Sequence, residues 1–146
     1  MESGNNSNYN DTERDEVITK LMQEHPIEEL VSFNESNLQE KIQTNAYLVV
    51  KYTELFLREK NVYDKISVLR DKIIGERYDH YRYNYDKELD SRIIERYYLP
   101  KDEKVIRINK ILQKQGWRVD FFQTAADSLK KMQWNFKTFL DSMKSL

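Results

Sequence analysis

From Gly75 to Tyr85 the chain runs Gly-Glu-Arg-Tyr-Asp-His-Tyr-Arg-Tyr-Asn-Tyr, which sets four tyrosines, Tyr78, Tyr81, Tyr83 and Tyr85, within eight residues. Arg77 and Arg82 stand between them, and Tyr97 and Tyr98 follow behind Arg92 and Arg96. Rings interleaved with cations suit an unpaired nucleic-acid strand, because rings stack on bases while cations hold phosphates. Each stacked base contributes about 1–3 kcal/mol. Two other readings stay open. Tyrosine is a common choice at subunit interfaces, and the same rings could simply pack between helices. Residues 76–100 also hold six acids against five bases, so the stretch is near neutral.

A second set of cations lies further on. At about 100° per residue, Lys104, Arg107, Lys110, Lys114 and Arg118 would occupy an arc of about 120° on a helix, with no acid among them. Such a stripe can be a solvated flank whose aliphatic stems cover neighbouring apolar surface. It can also track phosphates, since regularly spaced cations on a rigid rod neutralise successive backbone charges. Catalytic chemistry has little to work with. The two histidines, His25 and His80, are far apart, and no His-x-x-x-His, glycine-rich phosphate loop or nucleophile elbow occurs. Without cysteine there is no thiolate metal site, disulfide or thiol nucleophile. The expectation is a non-enzyme with no metal and no cofactor.

The elements that must carry these residues are long helices. From Val105, apolar residues recur by alternating threes and fours: Val105, Ile108, Leu112, Gln115, Val119, Phe122, Ala126, Leu129, Gln133, Phe136, Leu140 and Met143. Ten of these twelve are apolar. Pro100 suits the first turn of this helix, and Asp102 and Glu103 complement its N-terminal dipole. Gly116 weakens it by about 1 kcal/mol relative to alanine. A seam of this length needs a partner helix, from the same chain or another copy, and Leu112, Val119, Phe122, Leu129 and Phe136 are expected to hold an assembly together.

A second helix of about 38 residues, about 57 Å long, is expected from Leu38 to Gly75. Its apolar positions are Ile42, Ala46, Val49, Tyr52, Phe56, Val62, Ile66, Leu69 and Ile73, and Ser36 with Gln39 would form a capping box. Lys51, Arg58, Lys65 and Lys72 are spaced by seven beside that seam, the usual place for interhelical ion pairs, with Glu54, Glu59, Asp64 and Asp71 nearby. Upstream, residues 1–11 are polar enough to stay disordered. Short helices are expected from Thr12 to Pro26 and around Ile27, Leu30 and Val31. This gives an acidic, partly disordered segment 1–33 before a helical body 34–146.

Composition agrees. The 146 residues are 34% charged and 39% hydrophobic, with three glycines and two prolines, which favours an all-α fold. The expected architecture is an elongated helical hairpin of two long amphipathic helices with short N-terminal helices, assembling as a homo-oligomer. A net charge of −1 hides an imbalance: residues 1–40 carry two bases and ten acids, and residues 101–146 carry ten bases and five acids. The body could meet a polyanion, while the head is a docking helix, an acidic lure for a basic partner or an internal mimic of nucleic acid. No apolar run is long enough to span a membrane and no signal peptide is evident, so a soluble intracellular protein is expected.

An ordered set of residues in the C-terminal third carries a family resemblance. Val105-Ile-Arg107-Ile108-Asn109, Leu112-Gln113, Gly116, Asp120-Phe121, Ala125, Asp127, Lys130, Trp134, Lys137 and Asp141 resemble the C-terminal half of UvsY-type recombination mediators of T-even-like bacteriophages. Upstream, Leu38-Gln39 and Arg77-Tyr-Asp79-His-Tyr81 are similar to further elements of that family, the latter to its Arg-x-Asp-x-Tyr element. The resemblance covers about two thirds of the chain. It implies that the region of Arg77, Asp79 and Tyr81 belongs to a single-strand-binding motif. The family's lysine two residues before the arginine is Gly75 here, and Tyr83-Asn-Tyr85 replaces a glycine-rich stretch. Arg82 could supply the missing cation. Arg77 is the residue that the resemblance carries over; with the aromatic and cation pattern above, the expected DNA contacts are Arg77, Tyr81, Arg82 and Tyr85 first, and Lys104, Arg107, Lys110, Lys114 and Arg118 second.

The resemblance further implies a homo-oligomer, as a ring of several subunits, that binds single-stranded DNA in the cytoplasm of an infected host cell. It would load a RecA-like phage recombinase onto DNA coated by a phage single-strand-binding protein, with no membrane involved. A structural coiled-coil adaptor without nucleic-acid binding is the alternative that the charge pattern leaves open.

Overall fold

The computed structural model describes residues 5–84 and 88–145. Among them every regular element is helical, in the order α1 (Asn5–Glu24), α2 (Ile27–Val31), α3 (Leu38–Tyr83), α4 (Ser91–Ile93) and α5 (Glu103–Lys144). Between α4 and α5 lie a π-helical turn, Ile94–Tyr98, and a 3-10 turn, Leu99–Lys101. No described helix is long and apolar enough to cross a membrane.

Helix ends follow local chemistry, and several differ from expectation. α1 begins at Asn5, upstream of Thr12. Before α3, Asn34 and Asn37 replace the expected Ser36–Gln39 capping box. The Asn34 side-chain oxygen accepts from the Ser36 and Asn37 N–H groups, and the Asn37 side-chain oxygen accepts from the Asn34 N–H. Asn suits this task because its short side chain reaches backbone donors two or three residues away.

α3 continues through Gly75 to Tyr83, giving 46 residues. A Cβ at Gly75 would meet nothing within 4 Å, so this glycine lies on an open face and weakens the helix only by its propensity. Its neighbours Ile74 and Tyr78 pack into a core and outweigh that loss. Pro100 lies in the 3-10 turn rather than in the first turn of α5. Asp102, in extended conformation, is the residue that starts α5.

The chain forms two compact units. The terminal unit takes the residues up to Glu59 and from Trp117 onward, and the central unit is Lys60–Gly116. In the terminal unit α1, α2, the start of α3 and the end of α5 enclose Leu21, Leu38, Tyr52, Phe122, Ala125, Ala126, Leu129, Met132 and Phe136. The buried Asn45 amide donates to the Leu129 carbonyl at 2.9 Å, which gives that donor a partner inside the core. Arg118 grips Glu59 with two hydrogen bonds, Nε–Oε2 at 3.1 Å and Nη2–Oε1 at 2.7 Å. Glu59 therefore pairs with α5 rather than only with the heptad-spaced cations of its own helix.

In the central unit Ile94, Leu99 and Val105 form a small core against Ile74, Tyr78, Tyr81 and Leu89. Arg70 donates to the Asn109 side chain, and Tyr63 lies 3.5 Å from where a Cβ on Gly116 would be. Within each unit α3 and α5 therefore pair antiparallel: 45 with 129 and 59 with 118 in one, 70 with 109 and 77 with 102 in the other.

The seam of α5 departs from a strict heptad. Val105, Ile108, Phe122, Ala126, Leu129 and Phe136 are buried as expected. Gln133, Leu140 and Met143 are exposed, while Met132 is buried in their place. A straight helix drifts about 20° per heptad from a 3.5-residue repeat, so over four heptads the buried face moves to its neighbours.

Candidate nucleic-acid interface

The central unit is built around one carboxylate. Asp102 Oδ1 accepts from the backbone N–H groups of Lys104 (2.9 Å) and Val105 (3.1 Å), which caps α5. Its Oδ2 accepts from the Tyr81 hydroxyl at 2.6 Å and from Arg77 Nε at 2.8 Å, which ties α5 to the end of α3. The Asp102 side chain is 4% exposed. Burial alone would raise its pKa, but the hydrogen bonds from Tyr81, Arg77 and the Val105 N–H outweigh burial and hold it at about 2. The hydrogen bond to Asp102 raises the pKa of Arg77, and burial, then the hydrogen bond to Asp102, raises that of Tyr81. The Arg77 guanidinium also lies over the Tyr81 ring, 5.4 Å from its centroid.

Arg77 and Tyr81 are thus half-buried parts of this node. Arg77 bonds to Asp102 through Nε and also hydrogen-bonds Tyr81, and its side chain is 21% exposed. The Tyr81 ring packs against Tyr98 at 5.2 Å and His80 at 5.3 Å. Arg82 is half-buried and makes a long 3.5 Å contact with the Leu89 carbonyl. Tyr85 lies outside the described residues.

The structure brings other groups to the surface of the same unit. Lys104, Arg107, Lys110 and Lys114 are exposed along α5 and, among the described residues, have no ion pair. Arg118, the fifth member expected in that stripe, belongs to the terminal unit and is held by Glu59. Tyr83 is 74% and Tyr97 55% exposed, which leaves both rings open to stack on a base.

Reading the sequence missed Tyr83 and Tyr97 as the open rings. With α3 continued past Gly75, Tyr78 and Tyr81 share the face of Ile74, while Tyr83 falls about 200° away from Tyr81. It also missed Asp102 as the hub. The available signal was an aspartate immediately before an apolar-periodic run, which is an N-cap pattern.

The charge of the molecule divides with its units. Residues 60–116 carry fourteen basic and ten acidic side chains, a net of +4, and the remainder carries ten and fifteen, a net of −5. Phe122, Leu129 and Phe136, expected to join subunits, are buried in the chain's own terminal core at 1%, 0% and 5% exposure. Phe122 meets Tyr52 of α3, the Leu129 carbonyl takes the Asn45 amide of α3, and Phe136 meets Phe33 in the connection between α2 and α3. Leu112 and Val119 are half-buried. No group of three or more potential metal ligands occurs among the described residues.

Comparison with known proteins agrees with this architecture. The fold is similar to the crystal structure of the bacteriophage T4 recombination mediator protein UvsY, with a TM-score of 0.72 and 21% identity, over 86% of this chain and 95% of that one. No curated protein matches the sequence. The sequence pattern of one family, described as recombination, repair and ssDNA binding protein UvsY, matches residues 12–145, and by that match the chain belongs to the UvsY family.

Proposed function

We propose that the protein is a non-enzymatic recombination mediator that binds single-stranded DNA through its central unit. The observation that carries this reading is the family match over residues 12–145. The net charge of +4 on residues 60–116, the exposed cations Lys104, Arg107, Lys110 and Lys114, and the exposed rings of Tyr83 and Tyr97 support it. Cations would hold successive phosphates while rings stack on bases, without selecting a sequence. Arg77, Tyr81, Arg82 and Tyr85 complete the contact set proposed on the central unit, and Arg118, in the terminal unit, is proposed as a separate contact.

The finer role is to promote loading of a RecA-like phage recombinase onto DNA coated by the phage single-strand-binding protein. In this reading several copies, arranged as a ring, act together in the cytoplasm of the infected host. Leu112 and Val119 are the expected seam residues with surface left for another copy. Each subunit's grip is weak, and tethering several raises avidity by orders of magnitude while leaving each contact releasable.

The test is fluorescence anisotropy of a labelled single-stranded oligonucleotide over a salt series. Four stripe cations contribute a slope of about −3 in log affinity against log salt, at about 0.7 per cation. Lys110→Ala with Lys114→Ala lowers that slope by about 1.4. The same pair should fail to support recombinase strand exchange on DNA coated by single-strand-binding protein, where the wild type succeeds. A wild-type protein with no affinity for the oligonucleotide in dilute buffer would instead be a helical adaptor.

A further inference from the structure

We infer that Asp102 is a positioning residue for DNA binding, fixing the Arg77 guanidinium through Nε so that its outer nitrogens face a phosphate. The inference rests on the proposed contact between Arg77 and DNA. Three observations carry it. First, Asp102 is saturated: Oδ1 takes two N–H groups of the first turn of α5, and Oδ2 takes the Tyr81 hydroxyl and Arg77 Nε. It cannot swing away without uncapping α5 and breaking its hydrogen bond from the Tyr81 hydroxyl, so it acts as a fixed post rather than a lid.

Second, the pair is unequally buried, with the Asp102 side chain 4% and the Arg77 side chain 21% exposed. The acid is enclosed while part of the arginine reaches the surface. Third, only Nε bonds to Asp102, and a guanidinium has five N–H donors in a fixed plane. The guanidinium also hydrogen-bonds Tyr81, and at least three N–H groups remain for a phosphate, which takes two parallel bonds. Tyr81, stacked beside the guanidinium and bonded to the same oxygen, fixes its plane. A guanidinium already immobilised in this way loses less conformational freedom when it takes a phosphate.

A bare masking role makes the opposite prediction. If Asp102 only neutralised Arg77, its removal would strengthen DNA binding. The decisive experiment measures oligothymidylate affinity and its salt slope for the full-length wild type, Arg77→Ala, Asp102→Ser and the double variant, with folding checked by circular dichroism. Serine keeps a competent helix cap but cannot reach Arg77, so capping and positioning are separated.

Asp102→Ser should weaken binding about tenfold, as Arg77→Ala does, and reduce the slope by about 0.7. The double variant should bind no worse than Arg77→Ala alone. Asp102→Asn keeps the cap through its one oxygen but turns an NH2 donor toward Nε, so it should weaken binding as Asp102→Ser does. Affinity for Asp102→Ser equal to or above wild type overturns the inference, and so does an additive double variant. If the serine variant fails to fold, Asp102→Asn decides: its loss must vanish in the Arg77→Ala background. Unchanged binding by Arg77→Ala overturns the parent assignment of Arg77 as well, which distinguishes the two failures.

Discussion

A buried carboxylate with four donors leaves a mark in the pH dependence of stability. Asp102 has a folded pKa of about 2 against an ordinary value of 3.8. Its contribution to stability is therefore complete above about pH 4 and is lost as pH falls toward 2, because the unfolded chain takes up the proton first. The difference amounts to about 2 kcal/mol. Chemical denaturation between pH 4.5 and 2 should show this slope in the wild type and a shallower one in Asp102→Asn. His25 gives a second, separate window. At the break between α1 and α2 its Nδ1 is 3.2 Å from the Tyr52 hydroxyl, and its ring meets Phe122 and Tyr52 edge-on. Burial lowers its pKa below 6.5, Lys51 and Arg118 lower it further, and Glu24 opposes them. A lowered folded pKa means stability held above pH 6.5 and lost below it, as the unfolded chain protonates more readily. His25→Phe keeps the aromatic packing and removes the proton, so its thermal midpoint should be flatter than that of the wild type between pH 7 and 5.

At the scale of helices, Gly75 is the informative position. It lies inside α3 with open space around its missing side chain, so Gly75→Ala should stabilise the protein by up to about 1 kcal/mol, read from denaturant midpoints. Gly75→Lys restores the cation that the family resemblance places two residues before Arg77, and it should steepen the salt slope of oligonucleotide binding by about 0.7. A glycine followed by a tyrosine-rich stretch reads as a helix end because propensity is a local quantity. The helix continues because Ile74, Tyr78 and Tyr81 bury a common face against Ile94, Leu99 and Val105, which are distant in sequence. For the same reason the all-α class and the two long helices were legible from periodicity, while the choice between Tyr81 and Tyr83 as the open ring was not. That choice depends on helical phase, and phase depends on where the helix stops. The node at Asp102 was hidden for another reason: its partners come from 21 and 25 residues upstream, and no spacing rule links them.

For the whole molecule, the question is what the long seam of α5 is for. Periodicity alone could not say whether Phe122, Leu129 and Phe136 face another helix of the chain or another copy, since both give the same pattern of threes and fours. The structure closes them in the chain's own core with Leu21, Leu38, Tyr52 and Phe33, and this folding-back also redraws the charge map. The acidic N-terminal stretch and the end of α5 share the unit of net −5, and the unit of net +4 holds the cations Lys104, Arg107, Lys110 and Lys114. Leu129 is 0% exposed, beside Met132 and under the Asn45 amide. Leu129→Ala should therefore remove about 2–5 kcal/mol of stability through lost burial and a cavity. Its consequence for assembly separates the two uses of the seam. A residue buried within one chain lowers the thermal midpoint by the same amount at any protein concentration. One buried between copies would lower it more in dilute solution, where dissociation precedes unfolding. Scanning calorimetry of Leu129→Ala and wild type at two concentrations tenfold apart should give the same difference in midpoint at both, and a difference that widens on dilution would return this stretch of α5 to the contact between subunits.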